Sequence, residues 1–206
     1  ARRCSGGLRR LAGSGLLLIA LLCAAIGLAV PAGSAHAQQQ PPSAMVAEAT
    51  ALLNNIRHRL DGCGDDGMLG DAGMQRVSTA PVRSRPDLVY NPKLATVAAN
   101  HGRAMATQQF FDHVDMNGRT VGHRATESGY RWKLVGENLA AGHESLGEAM
   151  RGWLLSTGHC RNLIDERFTE FGIARVATSN PQDPYGVYWV LVFGRPSGAG
   201  LDVAAR

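Results

Sequence analysis

The sequence predicts an α/β fold in which helices cover both faces of a small, mainly antiparallel sheet. Three stretches have apolar side chains at helical spacing: residues 44–60, the stretch that begins at Asn91, and residues 145–156. Residues 187–193 read Val-Tyr-Trp-Val-Leu-Val-Phe, and a strand that is apolar on both faces must be covered on both sides. The short connection from residues 171–176 to this strand makes the two strands antiparallel neighbours. Helices on both faces of the sheet satisfy these observations together.

Residues 1–37 are predicted to be a secretory signal peptide. Four arginines lie in the first ten positions, and residues 16–30 form an apolar run of 15 residues that ends at Pro31. Ala35-His36-Ala37 fits the small-residue rule for cleavage, which makes Gln38 the mature N-terminus. The run is shorter than the roughly 20 residues of a membrane span, which favours cleavage over an uncleaved anchor. We therefore expect secretion to the periplasm or the extracellular medium, with no membrane span after cleavage.

The mature part of the chain is neutral, although the whole sequence has a formal charge of +4. The four N-terminal arginines account for the excess, and residues 38–206 balance 17 basic against 17 acidic residues. This balance argues against a nucleic-acid partner. The length suits one domain, which we place at residues 46–196, between a linker at 38–45 and a C-terminal tail at 197–206.

The first half of the mature chain is predicted to hold two helices separated by loops. The helical pattern at 44–60 is followed by a Gly- and Asp-rich stretch at 61–73 and by a second polar stretch at 74–87. Asn91-Pro92 then opens a helix, because Asn can cap it and Pro suits its first turn.

The second half begins with a polar stretch at 112–122 that contains the turn-former Asn117-Gly118. A helix over 145–156 follows, and Gly158 fits its C-terminal cap. Residues 171–176 alternate weakly and predict the strand that pairs with residues 187–193.

Two cysteines, Cys63 and Cys160, remain after removal of the signal peptide. A single pair in an oxidising compartment suggests a disulfide, which would close a loop of about 100 residues. Two separate thiols, or a metal site that uses Cys160 beside His159, are the alternatives.

Common catalytic and nucleotide-binding motifs are absent from the sequence, incomplete, or found in the wrong structural context. Residues 62–67 match GxGxxG, but they follow a helical pattern, and their aspartates would repel a pyrophosphate. His143-Glu144 does not open an HExxH zinc motif, because Gly147 stands where the second His belongs. The GxSxG nucleophile elbow does not occur in the sequence.

Three phrases place polar, ligand-capable residues beside apolar ones: Phe110-Phe111-Asp112-His113, Gly136-Glu137-Asn138-Leu139-Ala140, and the stretch from Trp153 to Asn162 that contains Gly158-His159. At these residues the sequence resembles the CAP superfamily of cysteine-rich secretory proteins, antigen 5 allergens and pathogenesis-related plant proteins. The resemblance covers about residues 46–195 and is strongest to the bacterial secreted branch. It implies an α/β/α sandwich with a cleft.

In many CAP proteins that cleft holds two His and two Glu, sometimes with a divalent metal. Matched motif by motif, the resemblance implies that the two His are His113 and His159 and that the first Glu is Glu137. Ser156 stands where spacing from Trp153 would put the second Glu. Glu144 and Glu148 are nearby, but no motif places them.

The chemistry of these three residues leaves several interpretations open. Two imidazoles and one carboxylate are a plausible set for Zn²⁺ or another divalent ion, with a position left for water. Such a site could run hydrolysis, with Glu137 as the candidate catalytic residue. A hydrogen-bonded polar cluster without metal is the second interpretation. In the third, His113, Glu137 and His159 are scattered structural residues. Glu137 has a separate alternative of its own, in which it bonds to backbone groups at the start of a strand.

Other polar and aromatic residues are assigned structural roles. His101 lies on the apolar face of its helix and is predicted to be a satisfied core residue. Asn138 and Asn162 are predicted to be turn and cap residues. Four aromatic residues are expected in the core: Phe110, Phe111, Trp153 and Trp189.

The function expected from these observations is a secreted, non-enzymatic binding module that presents its cleft to a lipid, a cell-wall component or a protein. The alternative is a metal-dependent hydrolase or peptidase that acts through His113, Glu137 and His159. The missing fourth acid and the lack of a nucleophile motif weigh against that alternative.

Overall fold

The computed structural model describes residues 42–63 and 85–198. The predicted signal peptide, most of the linker and most of the C-terminal tail lie outside these residues, as do the predicted loops over 64–84. The predicted domain boundaries therefore stay predictions. In the part that is described, no helix combines the length and apolar character that a membrane span requires.

The described chain forms five helices and four strands. In chain order they are α1 (Pro42–Arg59), β1 (Val89–Tyr90), α2 (Pro92–Gln108), α3 (Val121–Glu127), β2 (Trp132–Ala141), α4 (Leu146–Leu155), α5 (Thr157–Ile164), β3 (Glu170–Ala177) and β4 (Val187–Pro196).

The four strands form one sheet in the order β1-β3-β4-β2. The strand β4 lies in the centre and pairs antiparallel with both β3 and β2, and only the two-residue β1 pairs parallel with β3. The predicted antiparallel pairing of the last two strands is confirmed, with Ile173 opposite Leu191.

Both faces of the sheet are covered by helices, which confirms the predicted sandwich. The odd-numbered residues 187–193 of β4 pack into a cluster with α1, α4 and α5. The even-numbered residues 188–192 pack into a second cluster with α2 and α3. Because successive side chains of a strand point to opposite faces, β4 must be apolar at every position to serve both clusters.

The start of α2 forms as predicted. Asn91 has an extended backbone, and its side chain accepts a hydrogen bond from the Lys93 amide. Pro92 occupies the first turn, where its missing N–H costs nothing.

The predicted cap at Gly158 is wrong. The backbone of Ser156 is extended, with φ −103° and ψ 117°, so that α4 ends before it and α5 begins directly after it. Gly158 therefore lies inside the first turn of α5. Two short helices thus occupy the stretch where the sequence predicts one helix and its cap.

Cys63 and Cys160 form a disulfide, as predicted, with their Cα atoms 5.9 Å apart. The bond joins the segment after α1 to the middle of α5. Since α5 also contains His159, the disulfide holds one of the candidate site residues in the fold.

The outer edge of β2 is covered by side chains from α4 and α5. The Glu137 carbonyl accepts from Asn162 Nδ2 (3.3 Å), and the Leu139 carbonyl accepts from Trp153 Nε1 (2.9 Å). These donors occupy carbonyls that an edge strand would otherwise leave unpaired. They also fix the two helices against the strand that carries Glu137.

Candidate functional site

Three different parts of the fold supply the predicted site residues. His113 lies in the segment between α2 and α3, Glu137 in β2, and His159 in the first turn of α5. The structure brings His113 and Glu137 into direct contact, with 2.9 Å between His113 Nδ1 and Glu137 Oε1.

Glu137 is buried and both of its carboxylate oxygens have a donor. Its side chain is 2% exposed. Oε1 accepts from His113 Nδ1, and Oε2 accepts from Arg124 Nη2 at 2.8 Å. The Glu137 carboxylate therefore bonds to two side chains, and the interpretation in which it bonds to backbone groups is wrong.

Arg124, on α3, is a site residue that the sequence does not reveal. Its side chain is 6% exposed, and Nη1 donates to the carbonyls of His113 (3.0 Å) and Arg119 (2.7 Å). One side chain thus binds both the carboxylate of Glu137 and the backbone of His113. The helix has only seven residues, which is too short for a periodic pattern to predict which side faces inward.

His113 is the accessible member of the cluster, with a side chain 55% exposed. The hydrogen bond to Glu137 is the main cause that raises the pKa of His113, against burial, which lowers it. Because Nδ1 faces Glu137, Nε2 is the ring nitrogen left for a ligand.

His159 is half-buried, and its pKa is lowered by burial and by the charge of His113. The shared cleft of His113 and His159 that the resemblance implies stays a prediction.

His101 supports the cluster from behind. It is buried on α2, as predicted, and its Nε2 donates to the Asp112 carbonyl at 2.9 Å and lies 4.0 Å from Glu137 Oε1. Burial is the main cause that lowers its pKa. Its Nδ1 has no hydrogen-bond partner among the described residues, so the predicted full satisfaction of this histidine is wrong.

Asn138 and Asn162 link Glu137 to His159, and their prediction as turn and cap residues is wrong. Asn138 is buried within β2 and donates to the His159 carbonyl at 3.0 Å. Asn162, on α5, donates to Asn138 Oδ1 at 2.9 Å and to the Glu137 carbonyl. The two amides therefore hold β2 and α5 together next to the site.

The segment that carries His113 is held by a further buried acid, Asp115. Its Oδ1 accepts from the amides of Asn117 (2.9 Å) and Arg119 (3.0 Å), and its Oδ2 accepts from Arg119 Nε (2.8 Å). These hydrogen bonds fix the conformation of the segment that carries His113.

Exposed apolar side chains lie on the segment that carries His113 and on Tyr185, which contacts this segment. Phe111 contacts Tyr185, with 5.5 Å between ring centroids, and Met116 is 68% exposed. Val114 is also exposed. The prediction of Phe111 as a core residue is wrong, whereas Trp153 and Trp189 are buried as predicted and Phe110 is half-buried. We call Phe111, Val114, Met116 and Tyr185 the apolar rim.

The remaining candidate acids are engaged at the start of α4. Glu148 accepts from the Glu144 amide at 2.9 Å, and Glu144 accepts from Arg175 at 3.3 Å. Within residues 42–63 and 85–198, no three His, Cys, Asp or Glu side chains are arranged to hold one metal ion. In the structure Glu137 binds Arg124 and His113. His113, Glu137 and His159 therefore do not form a three-ligand metal site in this arrangement. The zinc set of His113, Glu137 and His159 stays a prediction.

Sequence comparison matches residues 50–193 to the profile of the cysteine-rich secretory protein family, called CAP. Two relatives come from Bacillus subtilis (strain 168). The uncharacterized protein YkwD is 26% identical over 93 residues, 45% of this chain and 36% of YkwD. The uncharacterized membrane protein YlbC is 29% identical over 86 residues, 42% of this chain and 25% of YlbC. The chain thus spans well under half the length of either relative.

Solved structures with similar folds include two bacterial proteins. An extracellular protein containing an SCP domain from Bacillus anthracis str. Ames is 32% identical, with a TM-score of 0.47, covering 53% of this chain and 34% of that one. A cysteine-rich secretory protein from Staphylococcus aureus subsp. aureus Mu50 is 14% identical, with a TM-score of 0.49, covering 76% and 40%.

Proposed function

The chain belongs to the cysteine-rich secretory protein family, and we propose that it is a secreted binding module without enzymatic activity. Its cleft around His113 and His159 takes the polar group of an external ligand. The signal-like sequence of residues 1–37 supports secretion. The disulfide between Cys63 and Cys160 supports it independently, because such bonds persist in oxidising compartments.

The engagement of Glu137 is the observation that carries this proposal. A general base must lie within hydrogen-bond reach of the proton that it removes, and a metal ligand within reach of the ion, but the Glu137 side chain is only 2% exposed. Both oxygens of Glu137 instead accept hydrogen bonds, at 2.8 Å from Arg124 and 2.9 Å from His113. The carboxylate therefore orients His113, and the metal-dependent hydrolase or peptidase is the less favoured alternative.

The apolar rim favours an amphipathic lipid among the ligand classes that the sequence suggests. Its side chains lie in the same segment as His113 or in contact with Phe111. Removal of exposed apolar groups from water stabilises a complex. Because hydrogen bonds already fix this segment, its binding costs little conformational entropy. A lipid would place its polar head at His113 and its hydrocarbon on the rim. A cell-wall polymer offers less apolar surface.

Vesicle co-sedimentation tests the proposal. The probe is a set of vesicles of phosphatidylcholine and phosphatidylglycerol, mixed with the mature protein. We expect binding that weakens at least tenfold in the His113→Ala, His159→Ala double variant. His58→Ala is the matched control, because His58 is exposed on α1 and pairs with Asp87. The double variant should unfold cooperatively, since His113 and His159 lie outside both apolar clusters.

Three outcomes would count against the proposal. Equal sedimentation of wild type and double variant would remove the cleft from binding. Sedimentation with insoluble cell walls alone would replace the lipid by a wall ligand. Zinc-dependent peptide or ester hydrolysis that the double variant loses would favour the hydrolase.

A further inference from the structure

Arg124 and Glu137 form an ion pair in which both partners are buried. The side chains are 6% and 2% exposed, and 2.8 Å separates Nη2 from Oε2. Water screens such a pair poorly, so each charge is held mainly by the other. The guanidinium also donates to the carbonyls of His113 and Arg119, which fixes its position.

We infer that Arg124 is the resident cation of this cleft and that it makes Glu137 unavailable to a divalent metal ion. The family resemblance suggests a metal-capable cleft, and the described donor set disagrees with that expectation. Arg124 is thus a positioning residue, because it acts on the site through Glu137 and the backbone of His113.

The coordination chemistry leads to the same conclusion. A catalytic zinc site has three protein ligands and one open position. With Glu137 turned to Arg124 and His113, the predicted set retains two imidazoles. No third ligand completes a set of three among the residues that the structure describes.

Glu137 could also act on a metal ion indirectly, by accepting a hydrogen bond from a histidine that binds the ion, but this role would not create a strong metal site. Ligating histidines commonly donate their other N–H to a carboxylate, whose negative charge strengthens the ligand. Glu137 stands in this relation to His113, but Arg124 neutralises its charge.

Calorimetric titration with Zn²⁺ alone tests the inference on the mature protein. For the wild type we expect a dissociation constant weaker than about 100 µM. Arg124→Lys keeps the positive charge and should behave like the wild type. Arg124→Gln frees the carboxylate and should bind Zn²⁺ at least tenfold more tightly. Adding His113→Ala to Arg124→Gln should remove that gain.

Stoichiometric Zn²⁺ binding by the wild type at micromolar or tighter affinity would overturn the inference. An Arg124→Gln variant that is folded and gains no affinity would overturn the role of Arg124. If that variant does not fold, the wild type and Arg124→Lys still decide, because tight binding by either contradicts a resident cation. The vesicle experiment is independent, since loss of lipid binding would leave the zinc result unchanged.

Discussion

At the scale of single residues, Glu137 organises the side chains around it because a buried carboxylate needs donors. Arg124 and His113 supply them from two different segments, and His101 lies 4.0 Å from the same carboxylate. One acid in β2 therefore determines the orientation of a histidine 24 residues before it in the chain.

Removal of the Glu137 carboxylate should destabilise the protein strongly. In Glu137→Ala, Arg124 keeps its charge in a buried place without its partner. Breaking one side of a buried ion pair costs about 3–5 kcal/mol. Urea denaturation of wild type and variant measures the loss.

The matched control is Glu127→Ala, which removes the exposed partner of Arg119 at 3.0 Å. Exposed ion pairs contribute about 0–1 kcal/mol, so this variant should remain close to the wild type. A Glu137→Ala variant no less stable than Glu127→Ala would show that Arg124 finds other partners.

At the scale of elements, α5 is the piece of structure on which the site depends. It contains His159, Asn162 and the disulfide residue Cys160. Its C-terminal end is held by Arg57 of α1, whose Nη1 donates to the carbonyls of Leu163 and Asp165, both at 3.0 Å.

Arg57→Met should lower the free energy of unfolding by about 3 kcal/mol or more. Arg57 is fully buried, and its guanidinium also donates to the carbonyls of Pro86 (3.0 Å) and Phe168 (3.3 Å). Methionine fills a similar volume without a donor, and each buried acceptor left unpaired costs about 1–3 kcal/mol. Urea denaturation measures the effect, with Arg59→Met, an exposed position of the same helix, as the control. Equal midpoints for the two variants would contradict this role of Arg57.

The same helix explains why element positions are easier to predict than element contacts. The apolar spacing over 44–60 identifies α1 and its buried residues Ala49 and Leu53. The next inward position holds Arg57, which a count of apolar residues assigns to solvent. A buried arginine is stabilised by carbonyls more than 100 positions away in the chain, and a local pattern contains no information about them.

Site geometry is limited in the same way. The motif phrases identify His113, Glu137 and His159, but the contact with Arg124 joins a short helix to a distant strand. Asn138 and Asn162 are polar residues that a local pattern assigns to turns. Their actual role depends on the packing of α5 against β2, where Asn138 donates to the His159 carbonyl and Asn162 donates to Asn138.

At the scale of the whole molecule, β4 organises the fold and the disulfide holds its helical layer. The central strand is predictable because it is apolar on both faces. The layer of α1, α4 and α5 includes two short helices, α4 and α5. The bond between Cys63 and Cys160 joins the segment after α1 to α5 across 97 positions of the sequence. A crosslink over so long a loop mainly restricts the unfolded chain.

Reduction of the disulfide should therefore lower the melting temperature by several degrees. Native disulfides of this kind contribute about 2–4 kcal/mol, and 1 kcal/mol corresponds to roughly 2–4 °C for a chain of this size. Thermal unfolding with and without reductant measures the shift, and thiol titration follows the bond. The Cys63→Ser, Cys160→Ser variant is the matched control, because reductant should leave its melting temperature unchanged. If the wild type titrates two free thiols after reduction and melts at the same temperature, the packing of α5 against β2 holds the layer without the crosslink.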